Sequence, residues 1–262
     1  MNLDLKGKTA VVCGSTQGLG YASAKELALL GASIILMARN EEKLNEIINT
    51  LDNSAGQHHQ YLVADFTDSS AVKKAIDKFI QEGGTAHILI NNTGGPAGGP
   101  ALSATTDEFL KAFESHLICN HILTQALVPG MKAAGFGRII NIISTSVKQP
   151  IAGLGVSNTI RAAVANWAKT LATELGPFGI TVNNVLPGFT QTVRADYVIK
   201  NKATASGKTE EEIMKELVSE IPVGRIGKPD EFGAAVAFLC SPAAAYINGI
   251  NLPVDGGRLS TL

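Results

Sequence analysis

Seven short apolar runs, rich in β-branched residues, recur along the chain and alternate with segments of helical periodicity. The strand-like runs are Thr9–Cys13, Ser33–Ala38, Tyr61–Val63, Ile88–Asn91, Arg138–Ile143, Thr181–Val185 and Ile250–Pro253. Amphipathic stretches between them are Tyr21–Leu30, Glu41–Leu51, Val72–Ile80, Phe109–Ala134 and Arg161–Leu175. The runs are apolar throughout rather than at alternate positions, so both faces of each strand must be covered. Strand–helix alternation then predicts an α/β fold, a doubly wound parallel sheet with helices on both faces. A chain of 262 residues suits one such domain, and no repeat, low-complexity tract or linker divides residues 1–262.

Charge excludes several partners. The net charge is −1 with the two signs interspersed, which leaves no basic face for nucleic acid or an anionic membrane. The longest apolar runs are far too short to span a bilayer. The first strand begins almost at once, leaving no room for a signal peptide, so a cytoplasmic protein is expected. Cys13, Cys119 and Cys240 lie far apart in apolar surroundings and read as reduced core thiols. The five histidines show no zinc-ligand spacing, and no metal is assigned.

The chemistry begins directly after the first strand, in "CGSTQGLG". Gly14, Gly18 and Gly20 form a GxxxGxG turn opening a helix, and Ser15 and Leu19 fall in the same turn. Glycine lets the backbone bend sharply and approach a pyrophosphate, which then faces the free N–H groups of the helix start. In a strand–turn–helix setting near the chain start this predicts a dinucleotide site and a Rossmann-like sheet.

Arg194–Gly224 breaks the alternation. Thr209 and Glu212 make a capping box ahead of Ile213, Met214, Leu217, Val218 and Ile221 at helical spacing. This is either a surface helix packed on the domain or a lid, and its position after a strand's carboxyl end favours the lid.

The motifs together resemble the short-chain dehydrogenase/reductase family over essentially the whole chain. They are the glycine turn, "VAD" at Val63–Asp65, "NNTGG" at Asn91–Gly95, the strand leading to Ser144, "VNNVLPGFTQT" at Val182–Thr192, and "GRIGKPDE" with "INGINLPVDGG" near the C-terminus. The nearest likeness is to 3-oxoacyl-(acyl carrier protein) reductases and other NADPH-dependent carbonyl reductases. The resemblance implies that Gly14, Gly18 and Gly20 cradle the pyrophosphate, Asp65 meets the adenine, and Asn91 and Gly94 support the ribose side. Pro187, Gly188, Thr190 and Thr192 would shape the nicotinamide end. Family members that use NAD place an acid at the end of the second strand; here Ala38 and Arg39 stand there. Arginine can pair with a ribose 2′-phosphate, so NADP(H) is expected over NAD(H), against the plainer reading of a solvated arginine.

At the catalytic positions the chain departs from the family. Members use asparagine, serine, tyrosine and lysine. The serine is kept as Ser144, but Ser157 stands thirteen residues later in place of tyrosine, Arg161 in place of lysine and His116 in place of asparagine. A serine hydroxyl is a far weaker acid than a phenol, so Ser157 cannot inherit the tyrosine's task. Arg161 retains charge and donors for the ribose and for developing negative charge, and from this position would also hold the cofactor. His116 is either a proton relay, since imidazole titrates near neutrality, or a histidine satisfied by hydrogen bonds in the core. Two functions are expected from this constellation. One is an NADP(H)-dependent oxidoreductase acting on a small carbonyl or alcohol substrate, with 3-oxoacyl thioesters among the candidates, and an altered proton donor. The other is a catalytically degenerate NADP(H)-binding protein, a sensor or assembly subunit. The resemblance also implies a homotetramer, through Phe109–Ala134, Ser157–Gly176 and the C-terminal "INLPVDGGRLSTL".

Overall fold

A computed structural model describes residues 1–261, and all seven strand-like runs become strands of one sheet. They are β1 (Thr9–Cys13), β2 (Ser33–Ala38), β3 (Gln60–Val63), β4 (Ile88–Asn91), β5 (Gly137–Ile142), β6 (Ile180–Pro187) and β7 (Asn251–Val254). The order is β3-β2-β1-β4-β5-β6-β7 with every pairing parallel. Strand order reverses between β1 and β4, and in such sheets the crevice at the carboxyl ends of those two strands receives ligands.

The helices are α1 (Gly18–Leu29), α2 (Glu41–Ile48), α3 (Ser69–Gln81), α4 (Thr106–Phe113), α5 (Cys119–Ala133), α6 (Gly155–Leu175), α7 (Val193–Ser206), α8 (Glu210–Ser219) and α9 (Pro229–Cys240). Alternate residues of β1 feed two separate cores. Ala10 and Val12 pack with Leu27 of α1 and Phe232 and Val236 of α9. Val11 and Cys13 pack with Ile76 of α3, Leu123 of α5 and Ala172 of α6. Burial on both faces is why these strands carry no polar alternation. The three cysteines are buried and free.

The structure corrects the helical stretches in three places. Phe109–Ala134 is not one regular helix: Glu114–Ile118 form a π turn between α4 and α5. Such a turn adds one residue and rotates the side chains that follow, and it recurs at functional sites. The helix expected from Arg161 starts earlier, at Gly155, so Ser157 lies in its first turn. Arg194–Gly224 holds two helices, not one, because α7 precedes α8. These two bury Ile199, Ala203, Ile213 and Leu217 against each other and against Phe189 and Met214, in a cluster separate from both main cores.

Four asparagines, three of them buried and Asn251 half-buried, bridge the sheet side by side. Asn91 Nδ2 donates to Asn141 Oδ1 at 2.9 Å, Asn141 Nδ2 to Asn184 Oδ1 at 2.9 Å, and Asn184 Nδ2 to Asn251 Oδ1 at 2.8 Å. They occupy matching register positions on β4, β5, β6 and β7.

Candidate active site

The glycine turn lies at the carboxyl end of β1. Gly14 has φ +56°, and a Cβ on Gly20 would stand 2.3 Å from the Gly14 carbonyl oxygen. The first position needs the left-handed region and the second needs no side chain, so neither tolerates substitution. The first turn of α1 carries neither a side-chain cap nor an acidic residue, which leaves its N–H groups free for an anion. Asn92 holds the turn from across the crevice: its Nδ2 lies 3.2 Å from the carbonyl oxygens of both Cys13 and Gly14. The residues present therefore fit a dinucleotide's pyrophosphate.

Two expected contacts work differently. Ser15 is fully buried, and its Oγ accepts a hydrogen bond from Met37 N–H at 3.1 Å, so the hydroxyl pins the turn to β2 instead of facing a ligand. Asn91 is 2 % exposed and its amide belongs to the asparagine ladder, so it can meet a ligand only through its backbone. Leu19 is half-buried against the α1 core. Gly94 faces open space.

At the end of β2, Arg39 stands out into solvent, its Nη1 3.9 Å from Asp65 Oδ2. Asp65 in turn accepts from the Thr67 N–H and hydroxyl, both at 2.9 Å. The arginine is therefore only loosely held and available to a phosphate.

Past the end of β5, Ser144 Oγ accepts from Ser146 N–H at 3.0 Å, which leaves the Ser144 O–H free to donate. Arg161, one turn into α6 beyond Ser157, reaches the same end of β5: its Nη1 donates to the Ile142 carbonyl at 3.1 Å. Arg161 is 8 % exposed and its Nε has no hydrogen-bond partner. Burial first, and then the Arg194 charge, draw its guanidinium down to about 10. Ser157 is half-buried on the same helix.

The π turn directs His116 inward, where Nδ1 shares a short hydrogen bond with Thr93 Oγ1 on the loop after β4. Burial, and secondly the charge of Arg161, push His116 down to about 2. At neutral pH the ring is an uncharged imidazole. Burial and the Thr93 contact at Nδ1 weigh toward the core reading of this histidine and against a relay that titrates near neutrality.

The loop after β6 closes the far wall. Gly188 N–H donates to the Val254 carbonyl at 2.9 Å, joining Pro187–Gly188 to β7, and Thr190 Oγ1 donates to the Gly188 carbonyl at 3.3 Å. Thr192 caps α7 and lies against Gly18, so this loop meets the glycine turn. Asn92 and Arg194 were not singled out in the sequence. The doubled asparagine of "NNTGG" was the available signal for the first. For Arg194 there was none, because α7 itself is not evident from the sequence.

Comparison with known proteins places the chain in a family. A family model described as enoyl-(acyl carrier protein) reductase matches residues 14–258. A tropinone reductase homologue of Arabidopsis thaliana is 32% identical over 97% of this chain and 92% of its own length. The 3-oxoacyl-[acyl-carrier-protein] reductase of Vibrio cholerae is 32% identical over 97% and 98%. Among solved structures, L-sorbose reductase from Gluconobacter frateurii, complexed with NADPH and L-sorbose, superposes with a TM-score of 0.93 at 32% identity, covering 100% of both chains. The chain belongs to the short-chain dehydrogenase/reductase family.

Proposed function

We propose that the protein is an NADP(H)-dependent oxidoreductase that reduces a carbonyl to an alcohol without a tyrosine as proton donor. The observation that carries this reading is Ser144: its hydroxyl proton is free while its oxygen is held by Ser146 N–H, beside a buried guanidinium. NADPH, when bound, supplies the hydride. Gly14, Gly18 and Gly20 with the α1 N–H groups would take its pyrophosphate, Arg39 its 2′-phosphate, and the loop Pro187–Thr192 its nicotinamide end. The NADPH-bound sorbose reductase, alike over its whole length, supports the choice of NADP(H).

Ser144 donates a hydrogen bond to the substrate oxygen, and Arg161 stabilises the negative charge that develops there. Arg161 keeps its own proton, since its guanidinium stays charged at neutral pH. His116 is neutral and its Nδ1 is committed to Thr93, so it orients the loop after β4 and transfers no proton at neutral pH. Ser157 is too weak an acid to replace a phenol, which leaves water as the source of the final proton. Residues 194–224 act as a lid over this site, and their separate apolar cluster supports movement as a unit.

The decisive experiment follows NADPH consumption by the purified protein across ketones, 3-oxoacyl thioesters and hydroxyketones. Saturable NADPH binding with no turnover across that panel would sink the reading. It would leave the second one, an NADP(H)-binding sensor or assembly subunit, which the absence of a near-neutral proton donor favours. A homotetramer is part of the same proposal. Leu110 and Phe113 of α4 remain exposed in the single chain, which supports a partner there, and light scattering reporting a monomer would refute it.

A further inference from the structure

Two guanidiniums converge on one point of the crevice. A Cβ placed on Gly95, in the loop after β4, would have Arg194 Nη2 at 3.6 Å and Arg161 Nη2 at 3.7 Å as its nearest neighbours. Next to it, Gly94 faces open space. Arg161 is more than nine-tenths buried, with its Nε unpartnered. Arg194 donates only to the Pro96 carbonyl, at 3.4 Å.

No acid balances the pair. The arginine ion pairs among the described residues are Arg39 with Asp65, Arg225 with Glu231 and Arg258 with Glu220. Neither Arg161 nor Arg194 has one. Arg194 also sits in the first turn of α7, which Thr192 caps and which carries Asp196, an acid that forms no ion pair with Arg194. Like charges facing each other across a half-buried position, one of them on a buried side chain, are unfavourable until an anion enters between them. The neighbouring His116 adds no charge, and the glycine turn provides a separate anion site at α1.

We infer that the substrate bears an oxyanion group, a carboxylate or a phosphate monoester, held between Arg161 and Arg194 above Gly95, beside the carbonyl that Ser144 engages. This rests on reading the crevice as the site of an NADP(H)-dependent reduction. Arg161 would then bind substrate as well as stabilise charge. Arg194, at the start of the lid, would couple the arrival of the anion to closure of α7 and α8.

The test uses the whole protein saturated with NADP+ and calorimetric titration of matched pairs. These are acetoacetate against methyl acetoacetate, phenylpyruvate against its methyl ester, and dihydroxyacetone phosphate against dihydroxyacetone. At least one charged member should bind ten-fold or more tighter than its neutral counterpart, and Arg194→Gln should remove most of that difference. The pair that discriminates identifies carboxylate or phosphate as the source. Arg161→Gln should act likewise; because this side chain is buried, the exposed Arg194 variant decides the matter if the first fails to fold.

The inference is overturned if no charged member is preferred, or if Arg194→Gln leaves the preference intact. It is also overturned if Arg194→Gln weakens NADPH binding as much as acid binding, since the anion would then be the nucleotide's own phosphate. Failure of the two readings is separable. Tight, discriminating binding of an acid without NADPH consumption keeps the anion site and rejects the reductase. Equal turnover of acids and neutral ketones keeps the reductase and rejects the anion site.

Discussion

The two ends of β5 each hold a buried arginine without an acidic partner, and they are finished differently. Arg138, on the strand's amino side, is 3 % exposed and lies over the Phe136 ring at 4.2 Å. Its guanidinium donates to the carbonyls of Gly137, Gly179 and Ser241 at 2.8, 3.3 and 3.5 Å. Arg161, at the carboxyl end, has one carbonyl, no ring and a second arginine in front of it. Both leave Nε without a partner, but a cation tied to three carbonyls and stacked on a ring is held as part of the scaffold. One tied to a single carbonyl, in a crevice, keeps donors free for a ligand. The amino ends of the strands therefore serve stability and the carboxyl ends serve binding, with one residue type in both places.

The largest test of that contrast compares the two arginines. Arg138→Ala should cost about 3 kcal/mol, because the carbonyls of the buried Gly137 and Ser241 lose this donor at about 1–3 kcal/mol each before relaxation. It should leave NADPH affinity unchanged. Arg161→Met should keep or raise the melting temperature, since it removes an uncompensated buried charge, while lowering turnover. Thermal melts beside kinetic assays decide this, and an Arg161 variant as unstable as the Arg138 one would erase the distinction.

Next come the two serines. Ser144→Ala should lower kcat/KM by roughly 10²-fold, the scale of losing one hydrogen-bond donor to a developing oxyanion. Ser157→Ala should change it only a few-fold. Steady-state kinetics on any substrate found would reverse the assignment if the two effects changed places. A smaller effect belongs to Arg39, whose loose contact with Asp65 leaves it for the 2′-phosphate. NADPH should bind at least about ten-fold tighter than NADH, about 1.4 kcal/mol, and Arg39→Ala should remove most of that preference. Fluorescence titration with both nucleotides measures it.

His116 sharpens the contrast through pH. Its folded value, about 2, lies below its ordinary 6.5, so the unfolded chain binds a proton that the folded one refuses. Its contribution is fully present above 6.5 and is lost as pH falls below that, by up to about 1.4 kcal/mol per pH unit. Melting temperature should fall with that slope in the parent and less in His116→Asn. Hydrogen exchange gives the finest test: α7 and α8 should be the least protected helices in the free protein and should gain protection with NADPH. Full protection without ligand would make them fixed parts of the domain.

Much of this was legible in the sequence because the strands are uniformly apolar and the glycine turn has a fixed place beside the first of them. All seven strands and the single sheet follow from that pattern. The π turn did not, since Phe109–Ala134 keeps helical apolar spacing through the inserted residue. Nor did α7, whose buried positions Ala195, Ile199 and Ala203 include only one large apolar residue. At the site, Ser144, Arg161 and His116 could be placed by counting, but their protonation could not. That depends on burial and on the convergence of Arg194 with Arg161, which come from segments far apart in the chain. Ser15 and Asn91 show a related point: a polar side chain in such a turn can serve to hold the turn.

The asparagine ladder has a consequence for how the sheet assembles. Its three bonds all run one way, donor to acceptor from β4 through β7, so Asn141 and Asn184 each accept from one neighbour and donate to the next. The last strand arrives only after α7, α8 and α9 have been made, and its four residues are half-buried, including a proline that has no N–H to offer. Apolar burial alone would discriminate weakly between adjacent alignments of so short a segment. A slip by one residue would set Leu252 in place of Asn251 opposite Asn184 and strand a buried amide donor, a penalty of about 1–3 kcal/mol. The row of amides thus acts as proofreading: it penalises a misaligned final strand by leaving a hydrogen bond unmade.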